Sequence, residues 1–554
     1  MADDTFSYIQ DLTNLLNGIP SARWNFPLAV GSSLDSPAGL GQPAALTYSF
    51  VQTPPSYYDS TDPVHSQFRS FTAAEIAATR NVLAHYSEVI NITFTASAST
   101  LGQMTFGAAG LPQNEAGFAY GPAYSSSFTG SAKTIVRVSE NATSGDVWLQ
   151  RSFVDAVMQP GAHGYSTLLH EVGHALGLKH PFDPTHTLPS SMDSTRYTVM
   201  SYTAPENMGI VTVSGDASGY SWTTGATVEA RSLMPLDILA LQYLYGANTS
   251  SRAGNDTYSW QPSERFLQTL WDGGGSDTID CSNQALPCAI DLNGGAYSSI
   301  GIRSTAAELR LEMPSFATQA DTPTYDGRNN LAIAYNVTIE NAIGGRGNDV
   351  LTGNSANNRL TGAAGNDALD GGTGTDIAAF SGSRSSYSVT RNNDGTMTVS
   401  DQRSGSADGT DALANIERLA FSDKNLAFDA SGSAGNTAKL IGAAFGIASL
   451  QPTLNGIGIQ VFDSGLSLQQ VAEAALNTAL FAQIAGSRSN EAVVRTVYTN
   501  VVGSAPSAAD TQFFVGWLQD GMSQADLLVL AANTDLNAQH INLAGISSTG
   551  LEYV

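Results

Sequence analysis

Three of the chain's eight histidines fall within eleven positions, in the stretch LLHEVGHALGLKHP at residues 168–181. On a helix, His170 and His174 are one turn apart, separated by about 6 Å of rise and about 40° of azimuth. Both imidazoles can therefore reach one metal ion. Glu171, the next residue along, can lean over that ion without ligating it. Gly177 accepts positive φ at little cost and ends the helix, so that His180 can swing back as a third ligand while Pro181 holds it extended. Three neutral imidazoles leave a zinc ion its full charge and a fourth position for water. A carboxylate beside that water can take its proton. This is the equipment for hydrolysing a polarised carbonyl compound. His65, His85, His163, His186 and His540 lack the spacing and are expected on the surface or in packing.

Such a group needs a scaffold. TAAEIAATRNVLAHYSEV, residues 72–89, reads as a helix with Thr72 as N-cap and Glu75 as its capping-box partner. Its apolar residues Ile76, Val82, Leu83 and Tyr86 recur at helical spacing. ALTYSFV, NITFTAS and KTIVRVS read as strands. At 554 residues two to four domains are expected, and composition divides the chain into four. Residues 1–40 form an N-terminal extension that could act as a removable inhibitory segment. Residues 41–250 mix strands and helices around the histidines. Residues 251–430 are dominated by Gly, Asn and Asp, and 431–554 return to alanine-rich amphipathic helices.

Residues 344–379 fall into four nonapeptides, GGRGNDVLT GNSANNRLT GAAGNDALD GGTGTDIAA. Position eight is apolar in each (Leu351, Leu360, Leu369, Ala378), and Asp349, Asp367 and Asp376 take position six. This is the pattern of a parallel β-roll, in which six residues turn and three form a short strand. Successive turns alternate sides, so residues eighteen apart stack. Asp349 and Asp367 are expected to share a calcium ion with carbonyls of Gly344, Arg346, Gly362 and Ala364, since hard oxygen ligands suit that ion. Asn358 and Asp376 would face each other on the opposite side and bind more weakly, because Asn358 lacks the charge.

Downstream of the third histidine, RYTVMSYTAPEN supplies Met200 and Tyr202. With the histidine pattern it resembles the metzincin zinc endopeptidases. ALTYSF, LHEVGHALGLKHP, TVMSY and PLDILALQYLYGAN narrow the likeness to the serralysins, over roughly residues 41–380. The resemblance implies a secreted, calcium-stabilised zinc endopeptidase acting on proteins, with Zn2+ and Ca2+ as cofactors. Its fold would be an α+β metzincin protease domain, then an all-β parallel β-roll, then a C-terminal mainly α-helical domain. Glu171 would be the general base. Met200 would form a turn beneath the metal, and Tyr202 would be a further zinc ligand that swings away to stabilise the reacting centre. AGFAYGPAY, with Ala119 at its middle, would be the edge strand that pairs with substrate. In SRAGNDTYSW and WDGGGSDTID, Arg252, Gly254 and Asp256 would meet Asp272, Gly274 and Asp277 around another calcium.

Lys and Arg number 24 against 49 Asp and Glu, a net charge of −25 that repels nucleic acid and anionic lipid. No apolar run is long enough to span a membrane. The acidic N-terminus reads as lacking a Sec-type signal. The tail STGLEYV is similar to the acid-then-apolar ends of serralysins, which implies an uncleaved C-terminal signal read by a type I secretion exporter. Residues 490–534 resemble a helical module appended to exported and surface-layer-associated proteins, so an attachment or targeting role stands beside a stabilising cap. Cys281 and Cys288 flank a turn, as a disulfide or as two buried thiols. Two other readings stay open: an adhesion or surface-layer protein with an inactive domain, and an enzyme with one dedicated substrate.

Overall fold

The computed structural model describes residues 22–554 except 27–28, 34–35, 98–100, 132, 153–156, 185–186 and 406–407. Composition suggests breaks near 250 and 430, yet the chain divides once, into compact units of residues 1–347 and 348–554.

In the first unit β1 (Ala44–Phe50), β2 (Ile92–Ala96), β3 (Met104–Ala109), β4 (Gly117–Ala119) and β5 (Asp146–Gln150) form one sheet in the order β2-β1-β3-β5-β4. Pairing is parallel except between β4 and β5, so β4 is an antiparallel edge strand. β3 is buried along its whole length, as a strand covered on both faces must be. Helix α1 (Ala73–Val89) crosses from β1 to β2. Its capping box is formed as its sequence suggests, Thr72 accepting from the Glu75 amide and Glu75 from the Thr72 amide. The Glu75 carboxylate is buried, and Arg69 neutralises it at 2.7 Å.

Helix α2 (His163–Ala175) carries the histidines and is buried along most of its length. The Tyr86 hydroxyl of α1 donates to the Leu169 carbonyl at 2.7 Å, tying the two helices together. Residues 22–26, which composition assigns to the extension, close the end of α2 instead. The Trp24 indole donates to the Ala175 carbonyl at 2.8 Å, and Arg23 is fully buried with its guanidinium on the Ser36 and Ala38 carbonyls. Residues 1–21 of the extension lie outside the described residues.

Further on, β6 (Thr257–Tyr258), β7 (Thr278–Asp280) and β8 (Asn341–Ile343) pair in parallel. Both cysteines lie in this region and are buried. In the second unit the repeats supply β9 (Val350–Thr352), β10 (Arg359–Thr361), β11 (Ala368–Asp370) and β12 (Ile377–Ala379). Val350 pairs with Ala368 and Arg359 with Ile377, so alternate turns stack. Leu351, Leu360, Leu369 and Ala378 point inward and are buried. The stacks continue into β13 (Thr410–Ala414) and β14 (Arg418–Ala420), which lie outside the repeat. After β15 (Asn425–Ala427), helices run from Ser433–Phe445 to Leu543–Thr549, and β16 (Leu551–Tyr553) returns to pair with β15. Among the described residues no helix is long and apolar enough to cross a membrane.

Candidate metal centre

Helix α2 stops where glycine allows it to. Gly177 has φ +111°, and a Cβ there would lie 2.5 Å from the Ala22 carbonyl oxygen. The turn brings the Leu178 carbonyl back to His174 Nδ1 at 2.9 Å and delivers His180 to the helix. His180 Nε2 lies 3.2 Å from His170 Nε2 and 3.0 Å from His174 Nε2.

These three nitrogens are acceptors, because the other nitrogens of the rings are spent. His170 Nδ1 donates to the Val199 carbonyl at 2.8 Å and His174 Nδ1 to Leu178, which leaves both Nε2 atoms with lone pairs. His180 Nδ1 faces Asp183 at 3.5 Å. Burial above all, with the neighbouring imidazoles, pushes His170 down to about 3. Burial takes His174 down to about 4 and lowers His180. All three are therefore neutral. Lone pairs converging this closely repel one another unless a cation lies between them. A tetrahedral ion with bonds of about 2.0–2.1 Å sets its nitrogens about 3.3 Å apart, which fits zinc. Among the described residues this is one of two places where three or more His, Cys, Asp or Glu ligand atoms lie close enough to share an ion; the other is Asp256, Asp272 and Asp277. His85 accepts from the Leu233 amide and His540 contacts the Asn500 carbonyl, both in structural roles. His186 lies outside the described residues.

Tyr202 is 70% exposed, and its hydroxyl stands 2.8 Å from His180 Nε2. Burial and the Glu171 carboxyl raise its pKa, so the hydroxyl keeps its proton. Glu171 is buried beside the histidines, and its Oε2 has no protein partner. Burial pushes this carboxyl up to about 8, with Glu115 adding to the effect. A dication held nearby acts in the opposite sense. Edge strand β4 crosses close to it: a Cβ on Gly117 would meet Glu171 Oε1 at 2.9 Å. Ala119 pairs with Val147 further along the same strand.

Met200 is fully buried beneath α2, where a Cβ on Gly173 would come within 2.7 Å of its sulfur. What holds this turn is a residue that the sequence reading leaves without a role. Asp237, in the first turn of α3 (Pro235–Tyr245), accepts from the Val199 amide at 2.8 Å, the Met234 amide at 2.9 Å and the Thr198 hydroxyl at 2.6 Å. The carbonyl that orients His170 is thereby fixed in place. An acid two residues after a proline at a helix start signals a cap, though not the contact with Val199. Phe182, also given no role, stacks on His180 with centroids 4.9 Å apart and planes 6° from parallel.

Of the residues expected to bind calcium, Asp256, Asp272 and Asp277 come together, and a Cβ on Gly275 would lie 1.9 Å from the Gly254 carbonyl oxygen and 3.0 Å from Asp277 Oδ1. Arg252 and Gly274 both have positive φ in the adjoining turns. Gly344 and Arg346 end the first unit, Arg346 donating its amide to the Gln284 carbonyl. Asp367 Oδ1 accepts the Asp349 amide and Asp376 Oδ1 the Asn358 amide, each at 2.7 Å. A Cβ on Gly362 would lie 2.3 Å from Asp367 Oδ2, and Ala364 follows in that turn.

The family described as Peptidase M10 serralysin C terminal matches residues 236–307 and 325–440. The chain is 31% identical over 385 residues to metallopeptidase AprA of Pseudomonas marginalis, covering 64% of this chain and 70% of that protein. It is 31% identical over 334 residues to serralysin C of Dickeya chrysanthemi and 32% identical over 336 residues to serralysin of Photorhabdus laumondii. Those two matches cover 56% of this chain and 59% of each relative, less than two thirds of its length.

Proposed function

Because the chain belongs to the serralysin-type metzincin metalloendopeptidases, we propose that it cleaves internal peptide bonds of proteins at the His170–His174–His180 centre. The convergence of three neutral Nε2 atoms beside the Glu171 carboxyl, whose Oε2 has no protein partner, carries this reading. Zinc held by the three nitrogens supplies Lewis acidity to a water and to the scissile carbonyl. An extended substrate adds to β4 by antiparallel or parallel pairing, which sets its backbone beside Glu171. Glu171 Oε2 takes the attacking water's proton and returns it to the departing amine nitrogen. The Tyr202 hydroxyl donates to the carbonyl oxygen as negative charge develops there.

Calcium stabilisation of a parallel β-roll belongs to the same proposal. Asp277, Asp367 and Asp376 each keep one buried carboxylate oxygen, Oδ2, without a protein partner, an arrangement that a hard cation satisfies. Export through a type I exporter, directed by the C-terminal tail, and action outside the cell or at its surface layer complete the reading. A roll that folds only where calcium is abundant stays threadable during export.

The test is metal analysis and peptide cleavage on one preparation of wild type and Glu171→Ala. The variant should keep one zinc and lose cleavage by roughly 10²–10⁴-fold, the range of general acid–base contributions. Full activity in the variant would sink the assigned mechanism, and cleavage insensitive to chelation would sink the metal.

A further inference from the structure

The turn that leads into edge strand β4 is held by a single residue of β5. Gln150, the last residue of that strand, pins it with three atoms. Its amide donates to the Ala116 carbonyl at 2.8 Å, and its Oε1 accepts the Leu111 amide at 3.3 Å. Its Nε2 donates to the Leu111 and Pro112 carbonyls at 2.8 and 3.3 Å. Glu115 closes the turn by donating its own amide to the Pro112 carbonyl at 3.0 Å. The backbone under Glu115 is thus fixed. Its side chain is exposed and, among the described residues, makes no ion pair or hydrogen bond.

Position ties this carboxylate to the metal centre. Glu115 stands two residues before Gly117, so their Cα atoms are at most about 7 Å apart. A Cβ on Gly117 would in turn meet Glu171 Oε1 at 2.9 Å. The charge of Glu115 is felt across that gap. Burial and then Glu115 raise the pKa of Glu171; burial, Glu171, Asp183 and Glu115, in that order, raise that of Tyr202. Asp183, 3.5 Å from His180 Nδ1, adds a second negative charge to these surroundings. Lys179, the basic residue of the histidine segment, is buried, donates to the His180 carbonyl at 3.2 Å and does not pair with Glu115.

We propose that Glu115 is a specificity-determining residue, selecting polypeptides that carry a lysine or arginine where the bound segment passes the start of β4. This rests on the endopeptidase reading of the histidine centre and names a substrate class for it. Paired strands lie about 4.8 Å apart, close enough for a long cationic side chain on the substrate to reach the carboxylate. Because the turn is pinned beforehand, little further ordering opposes the contact. Antiparallel pairing puts the cation C-terminal to the substrate residues that pair with β4, and parallel pairing puts it N-terminal to them. The side on which the cation is favoured therefore also reports the direction of pairing.

Cleavage of a mixed peptide library by the full-length chain, read by mass spectrometry, locates the position at which a cation is favoured. Matched peptides with Lys or Gln at that position then give kcat and KM. Wild type should prefer Lys about 1.5- to 5-fold, the range of an exposed ion pair, and through KM, since a charge at the rim acts on association. Glu115→Gln should bring the ratio to one and Glu115→Lys should invert it, while Glu491→Gln, in the helical region, should keep it. Both peptides meet the same Glu171, so the ratio cancels any effect of Glu115 on the general base. In wild type the preference should also shrink as salt is raised to about 1 M, where the Debye length is about 3 Å. A library with no favoured cation, a preference that salt leaves untouched, or a ratio that Glu115→Gln leaves unchanged overturns the proposal. If wild type cleaves no peptide at all, the endopeptidase reading itself fails and the selection falls with it.

Discussion

Metal binding at His170 is governed by the nitrogen that would not touch metal. Its Nδ1 is held by the Val199 carbonyl, and the amide of the same residue is held by Asp237. Asp237→Asn removes one strong acceptor from three donors and should weaken zinc affinity by about 10–100-fold, the usual effect of disturbing a partner behind a ligand. Competition with a chromogenic chelator measures this, and unchanged affinity would show that Asp237 only caps α3. His180→Ala should lose both metal and activity, measured by zinc content, because the two remaining imidazoles cannot close the site alone. His170, Glu171, His174, Gly177 and His180 are legible in the sequence because helix periodicity and one glycine turn fix their relation locally. Asp237 and Phe182 are not. Their importance lies in contacts to Val199 and His180, and nothing in local spacing announces which backbone amide a distant carboxylate will meet.

At the scale of elements, the edge strand that would receive substrate leans on a buried acid. The Asp146 carbonyl of β5 accepts the Tyr120 amide just past β4, and the Asp146 side chain accepts from Tyr57, Tyr58 and Thr105. Burial pushes this carboxyl up to about 7 from 3.8, the hydroxyl donors opposing it. Between about pH 4 and pH 7 the folded chain holds a proton there that the unfolded chain has released. Stability therefore falls as pH rises through that window. Asp146→Asn should flatten the fall, so its melting temperature should drop less than that of wild type between pH 5 and pH 8. Parallel curves by scanning calorimetry would place the titration elsewhere. Helix α1 and its Thr72–Glu75 box are readable in sequence, since both partners lie within one turn. The three-residue strand β4 is too short for a period-two pattern to reveal, and only pairing with β5 defines it.

For the whole molecule, a chain of net charge −25 keeps many of its acids in or near the glycine-rich turns. Each turn buries one apolar side chain at its centre, which is little to set against the entropy of ordering its glycines. Cations binding only the folded form stabilise it by RT ln(1 + [L]/Kd), about 2.7 kcal/mol at a hundred times Kd. The melting temperature of the unit at 348–554 should thus climb with calcium and fall when calcium is chelated. A melt indifferent to calcium would refute the stabilising role. The nine-residue period made these turns legible, while the boundary at residue 347 depends on which surfaces pack and has no compositional mark.

The clasp of Arg23 and Trp24 on the end of α2 sets a limit on autolysis. Cuts anywhere before Ala22 leave the Ala175 and Leu176 carbonyls covered by Trp24 and Tyr245. A cut beyond Phe26 would strip one of those covers and release the buried Arg23, loosening the helix that carries His174. An endopeptidase ageing in its own solution should therefore shorten to a ragged front that stalls just ahead of residue 22, and any molecule trimmed further would have disarmed itself. N-terminal sequencing of aged, still active protein would reveal that front, and active chains beginning after Phe26 would show that the clasp is dispensable.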